Sequence, residues 1–220
     1  MENAPVVYGY RNDVLPLKLA IPLAAPRAVA LLLPGAAYTQ DRPLMVAARD
    51  VLVGQGAECL LSERYYGMDR SLSALTGDDR ESCLSTDSGA LGRASFERAA
   101  GRPVWLVGKS IGTTCLAHAL KQVPDLAQSP VAWLTPLWKD DFVYKAIAAL
   151  GERSLVLVGT ADPQWDAAIA EKLSKKKVQV IAVEGADHSM VVAGNTAATD
   201  GAISTLRSRL QALVNPPVGP

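Results

Sequence analysis

The chain has 220 residues, which suits one α/β domain better than two, and 49% of them are hydrophobic, enough for a sizeable core. Its 22 basic and 22 acidic residues balance, so composition gives no reason to expect nucleic acid or an anionic membrane as a partner. Three cysteines at wide spacings, Cys59, Cys83 and Cys115, argue against both a disulfide framework and a zinc site.

The opening "MENAPVVYGY" has no basic region followed by an apolar stretch, so it does not read as a signal peptide. No apolar run approaches the roughly 20 residues of a membrane span. A cytoplasmic protein is the expectation. "PVVYGY" and "VLPLKLAI" read as opening strands joined by the turn residues Arg11-Asn12-Asp13. "AVALLLPG" (28–35) is a nearly continuous apolar run stopped by Pro-Gly, the pattern of a strand buried on both faces. "RPLMVAARDVLVGQG" has helical spacing and ends in glycines, and "AECLLSERY" reads as the next strand.

Residues 66–82 are rich in Gly, Ser, Thr and Asp and read as a loop, with helix returning by about 87. "VWLVG" is then a strand and 110–122 a helix; "PVAWLTPL" a strand and 140–150 a helix; "SLVLVGT" a strand and 163–173 a helix. "VQVIAVEG" is the last strand and 198–214 a closing amphipathic helix. The tail "NPPVGP" (215–220) cannot continue that helix and is expected to be disordered. The run Lys175-Lys176-Lys177 falls between helix and strand and reads as a solvated loop, with a binding patch as the alternative.

Alternating strands and helices imply a mostly parallel, doubly wound sheet of about eight strands with helices on both faces. No internal repeat or Gly/Ser-rich linker divides residues 1–214. Ligand sites in such a sheet lie beyond the carboxyl ends of the strands. Four loops there carry chemistry: Pro34-Gly35-Ala36-Ala37-Tyr38, Gly108-Lys109-Ser110-Ile111-Gly112, Gly159-Thr160-Ala161-Asp162-Pro163, and Gly185-Ala186-Asp187-His188-Ser189. A serine hydroxyl is a weak nucleophile that needs a base and an acid to orient that base. Ser110 sits between two glycines where strand becomes helix, a bend that brings backbones too close for a Cβ.

The five-residue pattern alone is weak; the order Ser110, Asp162, His188, each after a strand, is stronger. On these residues the chain resembles a small α/β-hydrolase of the serine-hydrolase superfamily, over nearly its whole length. The resemblance implies one α/β-hydrolase domain over 1–214 without a large lid. It makes Ser110 the nucleophile, Asp162 the orienting carboxylate and His188 the general base. The backbone N–H groups of Ile111 and Ala36 become the oxyanion hole, with Ala37 or Tyr38 able to share the role. Two departures stand out: Pro34-Gly35 where the family often has His-Gly, and only "WKDDFVYKA" where many members insert a lid.

The plainer readings remain beside these. Ser110 is otherwise a turn residue. Asp162 before Pro163 is also a good helix N-cap. Asp187 is a rival acid, and His118, two turns beyond Ser110, reads as packing or surface rather than base. Cys115 reads as core. Lys109 is expected exposed beside the serine, with contact to an anionic substrate as the alternative. Ala37, Tyr38, Trp138 and Phe142 are candidates for a substrate pocket, although loop aromatics also plug cores.

The implied activity is hydrolysis of a small-molecule ester or thioester through an acyl-serine, with no cofactor and no metal. The alternatives are a non-catalytic binding protein on this fold, or an acyltransferase, lyase or cyclase using the same three residues.

Overall fold

The computed structural model describes residues 3–215. The tail from 216 onward lies outside the described residues. Val7–Tyr8 (β1) and Val14–Leu15 (β2) pair antiparallel as a separate two-stranded ribbon. Pro16, which has no N–H to give a ladder, then breaks the run. Leu17–Ala20 (β3) follows as the edge of the main sheet. Against about eight strands expected, the main sheet has seven among the described residues, and the first hairpin stands apart.

Ala28–Leu33 (β4) leads to Pro43–Gly54 (α1), then Ala57–Ser62 (β5). The expected loop over 66–82 is also corrected. It holds a short helix, Arg70–Ser73 (α2), and the start of a long one, Gly77–Ala99 (α3). Small residues let α3 lie close to its neighbour: an added Cβ on Gly89 would meet the Gln122 side chain, and one on Gly92 would reach within 3.2 Å of Ala119 Cβ.

Val104–Lys109 (β6) runs into Ile111–Gln122 (α4). Val131–Leu134 (β7), Asp141–Leu150 (α5), Ser154–Gly159 (β8), Ala167–Lys175 (α6), Gln179–Val183 (β9) and Thr196–Val214 (α7) complete the chain. The α6 helix starts four residues later than the sequence suggests. Its N-cap is Asp166, which accepts from the Ala168 and Ile169 N–H groups, not Asp162.

The main sheet has the order β3-β5-β4-β6-β7-β8-β9, with β3 antiparallel and the rest parallel. Alternate residues of the central strands face opposite layers. Val29, Leu31 and Leu33 join α3, α4, α5 and α6 in one core, whereas Ala28, Ala30 and Leu32 join α1 and α7 in the other. Burial on both faces is why these strands are unbroken apolar runs. The register pairs Leu33 with Gly108 and Lys109 with Leu134, so the carboxyl ends of β4, β6 and β7 finish side by side. No helix among the described residues is long and apolar enough to cross a membrane.

Candidate active site

Ser110 stands between β6 and α4 with φ 54° and ψ −119°. A positive φ at a non-glycine residue is strained and is held only where the surroundings demand it. Here the Ser110 N–H donates to the Leu134 carbonyl at 3.0 Å, while the Thr113 N–H donates to the Ser110 carbonyl at 2.8 Å. The Thr113 hydroxyl donates to that same carbonyl and accepts from the Leu137 N–H at 3.2 Å.

The bend brings Ser110 Oγ to 2.8 Å from His188 Nε2. On the other side of the ring, His188 Nδ1 lies 2.7 Å from Asp162 Oδ2. Asp162 Oδ1 accepts from the Gln164 N–H at 2.8 Å. The carboxylate is buried, and burial raises its pKa; the hydrogen bond and charge of His188, the Gln164 N–H and the Lys109 ammonium outweigh that and hold it below the ordinary 3.8. It is therefore an anion at neutral pH. Asp187 makes a different set of contacts: its Oδ1 accepts from the Ser189 and Val191 N–H groups and folds its own loop.

A cleft of about 610 Å³ opens over Ser110 and His188, with Ala36, Ala37 and Tyr38 on one wall. Ile111 begins α4, so its N–H has no partner within the helix. Ala36 is fixed from behind, its carbonyl accepting from the Gly67 N–H at 2.9 Å. Tyr38 turns its hydroxyl toward α1, where it accepts from the Leu44 N–H.

Trp138 and Phe142 do not line the cleft, which corrects the sequence reading. Trp138 is 1% exposed, donates its indole N–H to the Gln164 carbonyl and packs on Trp165. Phe142 lies at the start of α5 with its ring 4.7 Å from that of His118. His118 is buried there beside Glu81, outside the cleft. Arg42 and Val191, which do line the cleft, were not singled out by the sequence. The only signal was their position, a few residues beyond loops already marked.

Lys109 is the largest departure. It is 1% exposed, not solvated beside the serine. Its stem passes Gly35, its ammonium donates to the His188 carbonyl at 2.8 Å, and it sits 4.8 Å from the centre of the Tyr38 ring. One side chain thus ties the serine bend to the histidine loop and to the 34–38 loop. Burial pushes its pKa down from 10.5 to about 8, with Asp162 and Asp187 opposing. Between about pH 8 and 10.5 the unfolded chain then binds more protons at this site than the folded one, so folding stability rises with pH through that window. Denaturant midpoints measured from pH 7 to 10 are expected to climb more steeply in the wild type than in Lys109→Met. Parallel curves would contradict a titrating buried lysine.

No family model matches the chain, and no curated protein matches it. Solved structures do. A lidless α/β serine hydrolase from Xanthomonas campestris is 16% identical, with 99% of this chain and 96% of that one covered at a TM-score of 0.68. Est1E from Butyrivibrio proteoclasticus, with ferulic acid bound, is 13% identical, covering 96% and 99% at 0.69. A thermophilic esterase from the planctomycete Thermogutta terrifontis, with propionate bound, is 16% identical, covering 98% and 96% at 0.62. The chain has the α/β-hydrolase fold.

Proposed function

We propose that this protein is a serine hydrolase that cleaves a small-molecule carboxylic ester or thioester through an acyl-serine intermediate. The observation that carries this reading is the hydrogen-bonded line from Ser110 Oγ through His188 to the buried Asp162, at 2.8 and 2.7 Å. The similar esterases support an ester as the bond cleaved.

The Ser110 hydroxyl donates to His188 Nε2, and the ring's Nδ1–H donates to Asp162. On attack, Ser110 Oγ bonds to the carbonyl carbon and its proton passes to Nε2. The carbonyl oxygen becomes an oxyanion beside the N–H groups of Ile111 and Ala36, with Ala37 as a further donor. His188 then gives its proton to the leaving oxygen or sulfur. A water, deprotonated by the same ring, releases the acid and restores the serine. The His188 side chain is 36% exposed, so water reaches the acyl-serine. That favours hydrolysis over transfer to another acceptor.

A fluorophosphonate, which phosphonylates activated serines, tests the reading. Mass spectrometry is expected to find one adduct, on the peptide carrying Ser110. A folded preparation with no adduct, or with the adduct elsewhere, would sink the proposal.

A further inference from the structure

Ala36 borders two cavities, not one. The larger holds Ser110 and His188. The smaller, about 210 Å³, is bounded by Ala36, Ile111, Tyr66, Leu72, Leu75 and Arg80. Ile111 borders only the smaller one and His188 only the larger. This asymmetry divides the substrate. The leaving group must be protonated by His188, so it occupies the larger cavity. The oxyanion lies at Ile111 and Ala36, and the remaining substituent of the carbonyl carbon, the acyl chain, falls on the side away from the imidazole.

The smaller cavity has a defined chemistry. Leu72, Leu75, Ala36 and Ile111 give it an apolar side, with Ser73 and Arg80 supplying polar groups. The Tyr66 hydroxyl is engaged, donating to Asp87 at 3.1 Å. Cys83 also borders it; burial raises this thiol to about 11, so it is neutral. Arg80 is the one charged side chain among the residues that line this cavity. It is exposed in the first turn of α3, and its guanidinium has no ion pair among the described residues. At about 30 Å³ for each water-sized group, the cavity takes an acyl chain of about four to six carbons and not a fatty chain.

We propose that this cavity is the acyl site and that it takes a short acyl chain ending in a carboxylate, recognised by Arg80. The substrate is then a monoester or monothioester of a small dicarboxylic acid. The proposal rests on Ser110 being the acyl acceptor. A guanidinium fork suits a planar carboxylate.

The test compares kcat/KM for mono-4-nitrophenyl glutarate and 4-nitrophenyl pentanoate, which match in length and differ in the terminal charge. The wild type is expected to favour the glutarate ester by about tenfold or more. In Arg80→Met the ratio is expected to fall to about one, with part restored in Arg80→Lys. A wild-type ratio near one, or a preference that survives Arg80→Met, overturns the proposal. So does a preference lost in Arg42→Met instead, since Arg42 borders the larger cavity.

Failure of the hydrolase reading is seen separately, as absence of the fluorophosphonate adduct. In that case the melting temperature with free glutarate decides the site. A rise in the wild type that is absent in Arg80→Met sustains carboxylate binding there, and no rise overturns it.

Discussion

Asp162→Asn is expected to leave the protein folded and Ser110 in place, yet to lower kcat on a neutral ester by about 10⁴-fold. The reason lies in the two oxygens of the carboxylate. Oδ1 accepts from the Gln164 N–H, and Oδ2 faces His188 Nδ1. An asparagine keeps its carbonyl toward the Gln164 N–H, because the amide group there would set donor against donor. Its NH₂ then faces Nδ1 and favours the tautomer protonated on Nε2. That nitrogen points at Ser110 Oγ and can no longer accept its proton.

Ser110→Ala is expected to reach a similar floor, and the double variant to be no slower than Ser110→Ala alone, since groups acting as one unit are not additive. Single-turnover kinetics on the three variants decide this. If Asp162→Asn stays within tenfold of the wild type, another acid orients the ring. Asp187 is a poor substitute, because its Oδ1 is already held by two backbone N–H groups.

The fold was legible where burial on two faces leaves its mark on the sequence. The runs 28–33, 104–108 and 154–159 are each buried throughout, and each reads as an apolar strand. The α3 helix was not legible before about 87 because residues 77–82 are exposed and mostly polar, and the face that follows mixes apolar with buried polar and small residues. Asp87 and Ser88 are both fully buried there. Asp87 takes the Arg64 Nε–H at 3.0 Å, the Tyr66 hydroxyl and the Tyr10 N–H, partners far away in sequence. A helix held by a distant polar network and by close packing at Gly92 shows little hydrophobic periodicity.

The loops holding Ser110, Asp162 and His188 could be placed from chain order alone, because strand ends in a parallel sheet converge. Which neighbours point into the cleft could not. Lys109 adjoins Ser110 and looks solvated, yet it spans to the His188 carbonyl 79 residues away. Trp138 looks like a loop aromatic, yet its indole is drawn under the loop that carries Asp162 by the Gln164 carbonyl. Asp162 before Pro163 reads as a cap by residue type; only the later start of α6, capped by Asp166, frees it for His188.

Gly112→Ala is expected to damage both stability and the site, because here the glycine makes room for backbone. An added Cβ would lie 2.3 Å from the Leu33 carbonyl oxygen and 2.7 Å from that of Pro34. Those atoms end β4 and begin the 34–38 loop, so they cannot swing aside as a side chain would. Either α4 moves away from β4 or the loop moves with its Ala36. Both change the distance between Ile111 and Ala36, the two groups proposed to hold the oxyanion.

Overpacking of this kind costs about 1–3 kcal/mol, which lowers the Tm by several degrees in a chain of this size. A displacement of about 1 Å at a reacting centre costs about a hundredfold in rate. Gly201→Ala is the matched control. It lies inside α7 with nothing within 4 Å of the added methyl, so it is expected to keep full activity and raise the Tm slightly. Melting curves and fluorophosphonate labelling rates on the folded fraction separate the two losses. A Gly112→Ala variant that melts and labels like the wild type would mean that α4 does not press against the end of β4, and the close approach that shapes the serine bend would have to be abandoned.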